Sequence, residues 1–412
     1  MQIDLTGKSV LLGVTGSISV YKASDLARLF IKAGATVHVI MTTSAERFVS
    51  ALTFEALTRN PVLTEKSESW SSTLNHIDIG KLCDVFVIAP TTANTLNKLS
   101  QGIADNILTQ TVLAFKGEVL IAPAANTQML VNHHTDESLQ KLQAANYTLI
   151  QPQEKLLACG DTGNGALAEP SEIFFAVARV LLKESFWEGR PAIVTGGGSR
   201  EKIDEVRYVS NFSSGKMAKA LCLSLYLRGA KVHYITSMGA EGLPLTITSD
   251  NFEDANALLS LTQRALVVAK KDVNFEPYLF MVAAVADFTP ESPKEGKVKK
   301  SSLGKEWNIT LTQTHDILSS LDKTGIKTIG FKAEMDSKKG LENAVNLLTQ
   351  KNVDAVCYNL LKDAKSFGGE ENEITFITQD AQMSLGRSDK LTLSFKIINE
   401  AQKINTKVTT KK

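Results

Sequence analysis

None of the four cysteines, Cys83, Cys159, Cys222 and Cys357, stands in a CxxC pair, and all lie far apart along the 412 residues. Zinc ligation and a disulfide framework are therefore not indicated. Net charge is nearly absent as well. With 45 basic against 44 acidic residues the chain carries +1, so bulk attraction to nucleic acid or to a membrane surface has no support. The opening MQIDLTGKSVLLGV intersperses charges with an apolar stretch of strand length. Neither a signal peptide nor a membrane span is expected, and the expected location is cytoplasmic. The glycine fingerprint GxGxxG is missing too, which argues against an ordinary nicotinamide site.

The composition, 43% hydrophobic and 22% charged, is that of a soluble globular enzyme. The length exceeds one ordinary core and predicts two domains. A strand over Val10–Val14, a turn over Thr15–Ser19, a helix from about Tyr21 to Ala33 and a strand over Thr36–Met41 make a βαβ opening, with Leu26, Leu29 and Phe30 on one apolar helix face. Apolar runs at Val85–Ala89 and Val119–Ala122 each leave into a polar loop, PTTANT and PAANTQ. Such alternation predicts a parallel doubly wound sheet whose ligands lie at the strands' carboxyl ends. A glycine-rich loop, QPQEKLLACGDTGNGALAEPSE, precedes a helix from about Ser171 to Lys183, and Glu184–Pro191 reads as a linker. The pattern then repeats: GKSVLLGVTGS has its echo in GRPAIVTGGGS. Two domains of similar class follow from that echo. The second continues with a buried strand at Leu279–Ala284, a Pro-, Gly- and Lys-rich loop at Thr289–Lys305, strands near Thr328–Phe331 and Ala355–Tyr358 joined by a helix, and a basic tail from Gln402 expected to be disordered.

Three strand ends in the first half carry polar residues: Gly16, Ser17 and Ser19; Thr42, Thr43 and Ser44; Thr91, Thr92, Asn94 and Thr95. One phosphorylated cofactor in the crevice explains all three. His76, in LNHIDIG, is a lone histidine, a residue more often structural than catalytic; His133 and His134 are adjacent and point apart on a helix. Cys159 sits among glycines instead of apolar neighbours, which makes it a better candidate for chemistry than the other cysteines. In the second half, Gly196–Gly198 and Ser213–Gly215 are two anion-ready turns, with the donors Arg200, Lys202, Arg207 and Asn211 between them. KVKKSS, from Lys297, reads either as a solvated loop or as a lid that carries a lysine onto a triphosphate or acyl-phosphate transition state. Asp287 and Asp316 follow apolar segments, where a carboxylate can hold a ribose hydroxyl or a magnesium ion.

Taken in order, GSISVYK, NHID, APTTANTLNKLSQGIADN, ACGDTGNG, SREKIDEVRYVSNFSSGK, AAVADF, KVKK, HDIL and GFKAE resemble the bacterial bifunctional phosphopantothenoylcysteine decarboxylase/phosphopantothenate-cysteine ligase family of coenzyme A synthesis. The resemblance implies an α/β chain of two doubly wound domains. A flavodoxin-like flavoprotein domain would span 1–187, a Rossmann-like ligase domain 188–401 and a tail 402–412. It implies FMN at Gly16, Ser17, Thr43, Thr92 and Asn94, bound across a subunit contact. Flavin would oxidise the cysteine thiol of 4′-phosphopantothenoylcysteine to a thioaldehyde, carbon dioxide would leave, and the hydride would return to give 4′-phosphopantetheine. His76 matches the catalytic histidine, Asn126 the carboxylate-binding asparagine and Cys159 the proton donor on a substrate-covering flap.

For the second half the resemblance implies that CTP, with Mg2+ carried on its phosphates, activates 4′-phosphopantothenate as an acyl-cytidylate, which L-cysteine then attacks. Asn211 and Arg207 match the residues that hold substrate and acyl-cytidylate, and Lys297 the lid lysine. Ala283, Asp287, Asp316, Ile317, Phe331 and Lys351 fall on nucleotide-binding positions. Self-association is implied as well, trimer-based for the first domain and dimeric for the second. The chain departs from the family at three places. Ala125 stands where methionine is usual, Gly165-Ala166-Leu167 replaces Gly-Arg-Met, and Leu347 occupies the position of a second lysine. A ligase whose flavin domain is weakened or has changed substrate is the alternative these departures raise.

Overall fold

The computed structural model describes residues 2–72, 74–156, 162–299, 305–361 and 368–406. They divide into two compact units, Gln2–Leu182 and the chain from Lys183 onward. In the first unit the strands are β1 (Ser9–Val14), β2 (Thr36–Met41), β3 (Val62–Leu63), β4 (Val85–Thr91), β5 (Glu118–Pro123), β6 (Thr148–Leu149), β7 (Gln153–Leu156) and β8 (Thr162–Ala166). The first six form one parallel sheet in the order β3-β2-β1-β4-β5-β6. With the two-residue edge strand β3 set aside, this is the flavodoxin-like order, and the order reverses between β1 and β4. Helices cover both faces, which is why β1 and β4 are continuous apolar runs and are buried along nearly their whole length. Val20, Ala23, Leu26, Ala27 and Phe30 make the buried stripe of the helix Val20–Lys32. Phe30 meets Phe174 of the helix Pro170–Leu182 with ring centroids 5.5 Å apart. The glycine-rich segment, expected as a loop, is in part the antiparallel hairpin β7/β8.

The second unit holds β9 (Pro191–Gly196), β10 (Glu201–Lys202), β11 (Tyr208–Val209), β12 (Lys231–Thr236), β13 (Thr248–Asn251), β14 (Tyr278–Met281), β15 (Phe288–Pro290), β16 (Leu311–Gln313), β17 (Lys327–Glu334), β18 (Ala355–Leu360), β19 (Glu371–Ile377) and β20 (Gln382–Asp389). Its sheet runs β13-β12-β9-β14-β17-β18-β19-β20. The first six strands are parallel in Rossmann order, reversing between β9 and β14, and an antiparallel hairpin extends the edge.

Two expectations are corrected. Glu184–Arg190 is not a free linker but part of the second unit's packing. Trp187 is fully buried, edge-on to Tyr278 at 4.8 Å, while Arg190 lies 4.1 Å over the Phe186 ring and donates to the Glu276 carbonyl. Burial of one large aromatic outweighs the polar character of its neighbours. The tail begins later than expected, because the last helix, Lys390–Thr406, continues through residues 402–406; residues 407–412 lie outside the described residues.

Candidate functional site

At the switch point of the first unit, Thr15 stitches β1 to β4. Its hydroxyl donates to the Pro90 carbonyl at 2.7 Å and accepts from the Thr92 amide at 3.0 Å. Above this stitch lies a cavity of about 890 Å³. Gly16, Ser17, Thr43, Thr92, Asn94 and Asn126 all line it. Thr42 and Thr92 also serve a structural purpose the sequence did not reveal, since each side chain caps the short helix that follows it. A Cβ at Gly16 would stand 2.5 Å from Ser44 Cβ, so this turn packs against the end of β2 with no room for a side chain. Gly16→Ala is therefore expected to open the turn, at a cost of about 1–3 kcal/mol, and to lower occupancy of the FMN site that the resemblance implies here. Flavin absorbance after gel filtration checks this, and undiminished flavin content would contradict it.

Asn126 begins the turn Thr127–Leu130 and accepts the Gln128 amide at 2.9 Å. Beside it the Ala125 amide donates to the Gly165 carbonyl at 3.1 Å, which fastens β8 to the Asn126 loop. Three lysines reach the cavity: Lys22, Lys98 and Lys155. Lys98 is engaged by both carboxylate oxygens of Asp105, at 2.9 and 2.7 Å, and the Lys98 ammonium holds the Asp105 carboxyl below its ordinary range. Lys22 and Lys155 share Glu169 Oε1. The Lys155 hydrogen bond, opposed by burial and assisted by Lys22, lowers the Glu169 pKa.

His76 does not line this cavity. Its Nδ1 stands 2.6 Å from Glu68 Oε1, and Trp70 packs edge-on with ring centroids 5.4 Å apart. The Glu68 carboxylate fixes the ring's orientation and leaves Nε2 as the outward nitrogen. Cys159 lies outside the described residues.

In the second unit the carboxyl ends of β9 and β14 are joined in the same way. Thr195 Oγ1 accepts from the amides of Val282 and Ala283 at 3.1 and 3.2 Å. Gly197 has a φ of +91°, and a Cβ there would fall 2.2 Å from Ser237 Oγ; only glycine makes this turn. Asn211 donates Nδ2–H to the Val285 carbonyl at 2.8 Å, which brings the SNFSSG turn onto the segment holding Ala283 and Asp287. Gly215 is left-handed and opens the helix Lys216–Leu227 without a side-chain cap. Asp287 is exposed, and its carbonyl accepts from Thr314. Asp316 caps the turn Ile317–Ser320 and pairs with Lys351. Burial raises its pKa, but the Lys351 ammonium and the Ser319 amide more than reverse that effect. Phe331 sits half-buried on β17, and Leu347 packs over Gly330 of the same strand. The position where lysine is usual therefore belongs to a packed apolar cluster.

Arg207 ties down the segment around Val298. Its guanidinium pairs with the fully buried Asp204 carboxylate, donates to the Val298 carbonyl at 3.0 Å and lies 4.4 Å over the Trp307 ring. Asp204 in turn accepts from the amides of Val206, Arg207 and Val298. Arg207 first, and these amides with it, hold the Asp204 carboxyl well below the usual carboxylate range. Because the folded pKa is depressed, the tether is complete above the pKa of an unfolded aspartate and is lost as pH falls through the lower, folded value. Asp204→Ala is expected to free the segment and speed tryptic cleavage after Lys294 and Lys297 severalfold; an unchanged cleavage rate would show that Asp204 does not hold it. Sequence reasoning missed Asp204, whose neighbour Arg207 drew the attention, and Lys155, which nothing but the hairpin pairing places in the cavity.

The two sheets and their switch-point sites define a two-part α/β protein of doubly wound class. Residues 2–182 match the family model Flavoprotein, and residues 187–404 match DNA/pantothenate metabolism flavoprotein C-terminal domain. The chain is 37% identical over 411 residues to the coenzyme A biosynthesis bifunctional protein CoaBC of Bacillus subtilis (strain 168), covering 96% of this chain and 97% of that protein. The chain belongs to this CoaBC family. Among solved structures, the FMN-binding protein AtHal3 is 38% identical, with a TM-score of 0.37 over 41% of this chain and 94% of that one. The C-terminal domain of a coenzyme A biosynthesis bifunctional protein CoaBC is 27% identical, with a TM-score of 0.43 over 54% and 100%. Among the described residues no helix is long and apolar enough to cross a membrane, and no group of three or more His, Cys, Asp or Glu is placed to hold a metal ion.

Proposed function

We propose that the second unit joins L-cysteine to 4′-phosphopantothenate at the expense of CTP and that the first unit, with FMN, decarboxylates the resulting 4′-phosphopantothenoylcysteine. The convergence of Gly16, Ser17, Thr43, Thr92, Asn94 and Asn126 on one cavity at the sheet's switch point carries the first half of this reading. Gly16 and Ser17 hold the flavin phosphate in a turn too tight for a side chain, and Thr43, Thr92 and Asn94 line the same wall. Bound FMN supplies oxidation of the substrate thiol and the later return of hydride. Asn126 orients the substrate carboxylate, and Cys159 delivers a proton from the flap. His76 lies outside its own chain's cavity, so in this reading it serves the flavin of an adjacent copy, with a trimer-based assembly of the first unit.

In the second unit Asn211 and Arg207 position the acyl group, while Ala283, Asp287, Asp316, Ile317, Phe331 and Lys351 surround the nucleotide. Asp316 and Lys351 form a pair that a triphosphate can reorganise, since the phosphates compete with Asp316 for the ammonium. Mg2+ arrives with the nucleotide, carried on its phosphates. Lys297 stabilises the charge that develops in acyl transfer. In this reading the decarboxylase is the unit Gln2–Leu182 and the ligase the chain from Lys183 onward, which moves the expected 187/188 boundary because Trp187 packs on Tyr278. Adding FMN to purified protein tests the first half. A bound flavin spectrum in about one-to-one ratio with chain is expected, and protein that stays colourless after FMN is added would contradict it.

A further inference from the structure

We propose that Lys155, backed by Lys22, forms a phosphate subsite in the first-unit cavity that recognises the 4′-phosphate of the pantothenoyl substrate; the inference rests on the decarboxylase reading above. It begins from the charges that face the cavity. Among the described lining residues these are Lys22, Lys98, Lys155 and Asp105. Asp105 answers Lys98 with both of its oxygens. Lys22 and Lys155 have a single carboxylate between them, both meeting Glu169 Oε1, the Lys22 ammonium at 3.2 Å. Among the described residues, two ammonium groups on one carboxylate oxygen leave one positive charge unanswered at the cavity wall.

The reaction brings three anionic groups to this cavity. In the reading above the flavin phosphate is held at the Gly16–Ser17 turn by the Gly16 amide and the Ser17 hydroxyl, the Ser17 amide being donated to the Thr15 carbonyl at 2.9 Å. The departing carboxylate gains nothing from a lysine, because an ion pair would stabilise it most in the ground state, before its charge is lost, and would raise the barrier. The substrate phosphate keeps its charge throughout, so a cation there gives binding energy without opposing the chemistry. The unanswered charge fits that group.

The two lysines differ in freedom. Lys22 belongs to the helix that leaves the Gly16–Ser17 turn and its side chain is 16% exposed, whereas Lys155 stands on β7 with its side chain 48% exposed. The opposite strand of the hairpin and the residue after it present Gly165, Ala166 and Leu167 to the cavity, none of them charged. Lys155 is thus the hairpin's cation among the described lining residues. An incoming phosphate carries more charge than Glu169 and draws Lys155 from it, while Lys22 stays on the helix as the second donor.

The test titrates FMN-loaded wild-type chain, Lys155→Gln and Lys155→Arg with 4′-phosphopantetheine and with pantetheine, read by the change in flavin absorbance. Carbon dioxide release from phosphorylated and unphosphorylated pantothenoylcysteine is measured in parallel. Wild type is expected to prefer the phosphorylated ligand by about ten- to a hundredfold, the size of a charge-assisted contact. Lys155→Gln should lose most of that preference while its affinity for pantetheine stays unchanged, and Lys155→Arg should keep it. A wild type without the preference, a Lys155→Gln variant that retains it, or an equal loss for both ligands would overturn the subsite. Wild type that binds with the preference but releases no carbon dioxide would instead refute the decarboxylase reading and leave the subsite standing.

Discussion

Lys297→Gln is expected to slow formation of 4′-phosphopantothenoylcysteine by about a hundred- to a thousandfold, the usual consequence of removing one donor aimed at transition-state charge. The same variant is expected to release carbon dioxide from supplied 4′-phosphopantothenoylcysteine at the wild-type rate. The size of the effect follows from position. Lys297 directly precedes Val298, whose amide and carbonyl are both bonded to the Asp204–Arg207 pair. The backbone next to Lys297 is thereby fixed, so in the proposed role its loss removes a charge held near a defined place. Pyrophosphate release with 4′-phosphopantothenate and CTP measures the first half-reaction, and cysteine-dependent product the second. A wild-type ligation rate in Lys297→Gln would refute the role of this residue.

His76→Asn is expected to lower decarboxylation by about a hundred- to ten-thousandfold, the range of a lost general acid–base group, and to leave flavin content unchanged. The residue makes a strong hydrogen bond to Glu68 and is absent from the cavity of its own chain, so removing it does not disturb the Gly16 turn. Mixed oligomers give a sharper readout. If His76 acts on a neighbouring copy's flavin, then combining His76→Asn chains with Asn126→Ala chains restores part of the activity that each lacks alone. Loss of flavin from His76→Asn would show the residue to be structural, and no recovery in the mixture would place it at its own chain's site.

The parallel strands were legible because both of their faces are covered, so β1, β4, β5, β9 and β14 read as apolar runs that end abruptly in polar turns. Those abrupt ends are also why Gly16, Thr92 and Gly197 could be picked out from the pattern, whereas Asn126 followed from the family resemblance. The edge elements were not legible. β13 is TSDN, exposed along its whole length, and it is a strand because β12 offers it hydrogen bonds, not because it buries anything. β19 and β20 pair antiparallel at a sheet edge and mix charged with apolar residues, so neither gives a clean alternation. Trp187 shows the opposite failure, since a run that looked like a linker contained two aromatics, Phe186 and Trp187, and burial of the second decides where the segment packs.

Site chemistry divides along the same line. Residues at strand ends follow from topology, which the alternating pattern supplies. Lys155 and Asp204 do not, because each acts through a partner distant in sequence or on another element: Glu169 for the first, Val298 for the second. Leu347 is the plainest case of a departure given a physical meaning. Over Gly330, with Leu318 and Val353 nearby, it belongs to the packing between helix and sheet, so the charge usual there is replaced by apolar contact.

The central claim is that one chain makes the cysteine conjugate in its second unit and decarboxylates it in its first. The most direct measurement supplies 4′-phosphopantothenate, L-cysteine and Mg2+ with CTP or with ATP, and follows pyrophosphate and carbon dioxide together. With CTP, pyrophosphate should appear first and carbon dioxide should follow only when cysteine is present, ending in 4′-phosphopantetheine. Pyrophosphate without any later carbon dioxide, from chain that has been loaded with FMN, would contradict the account.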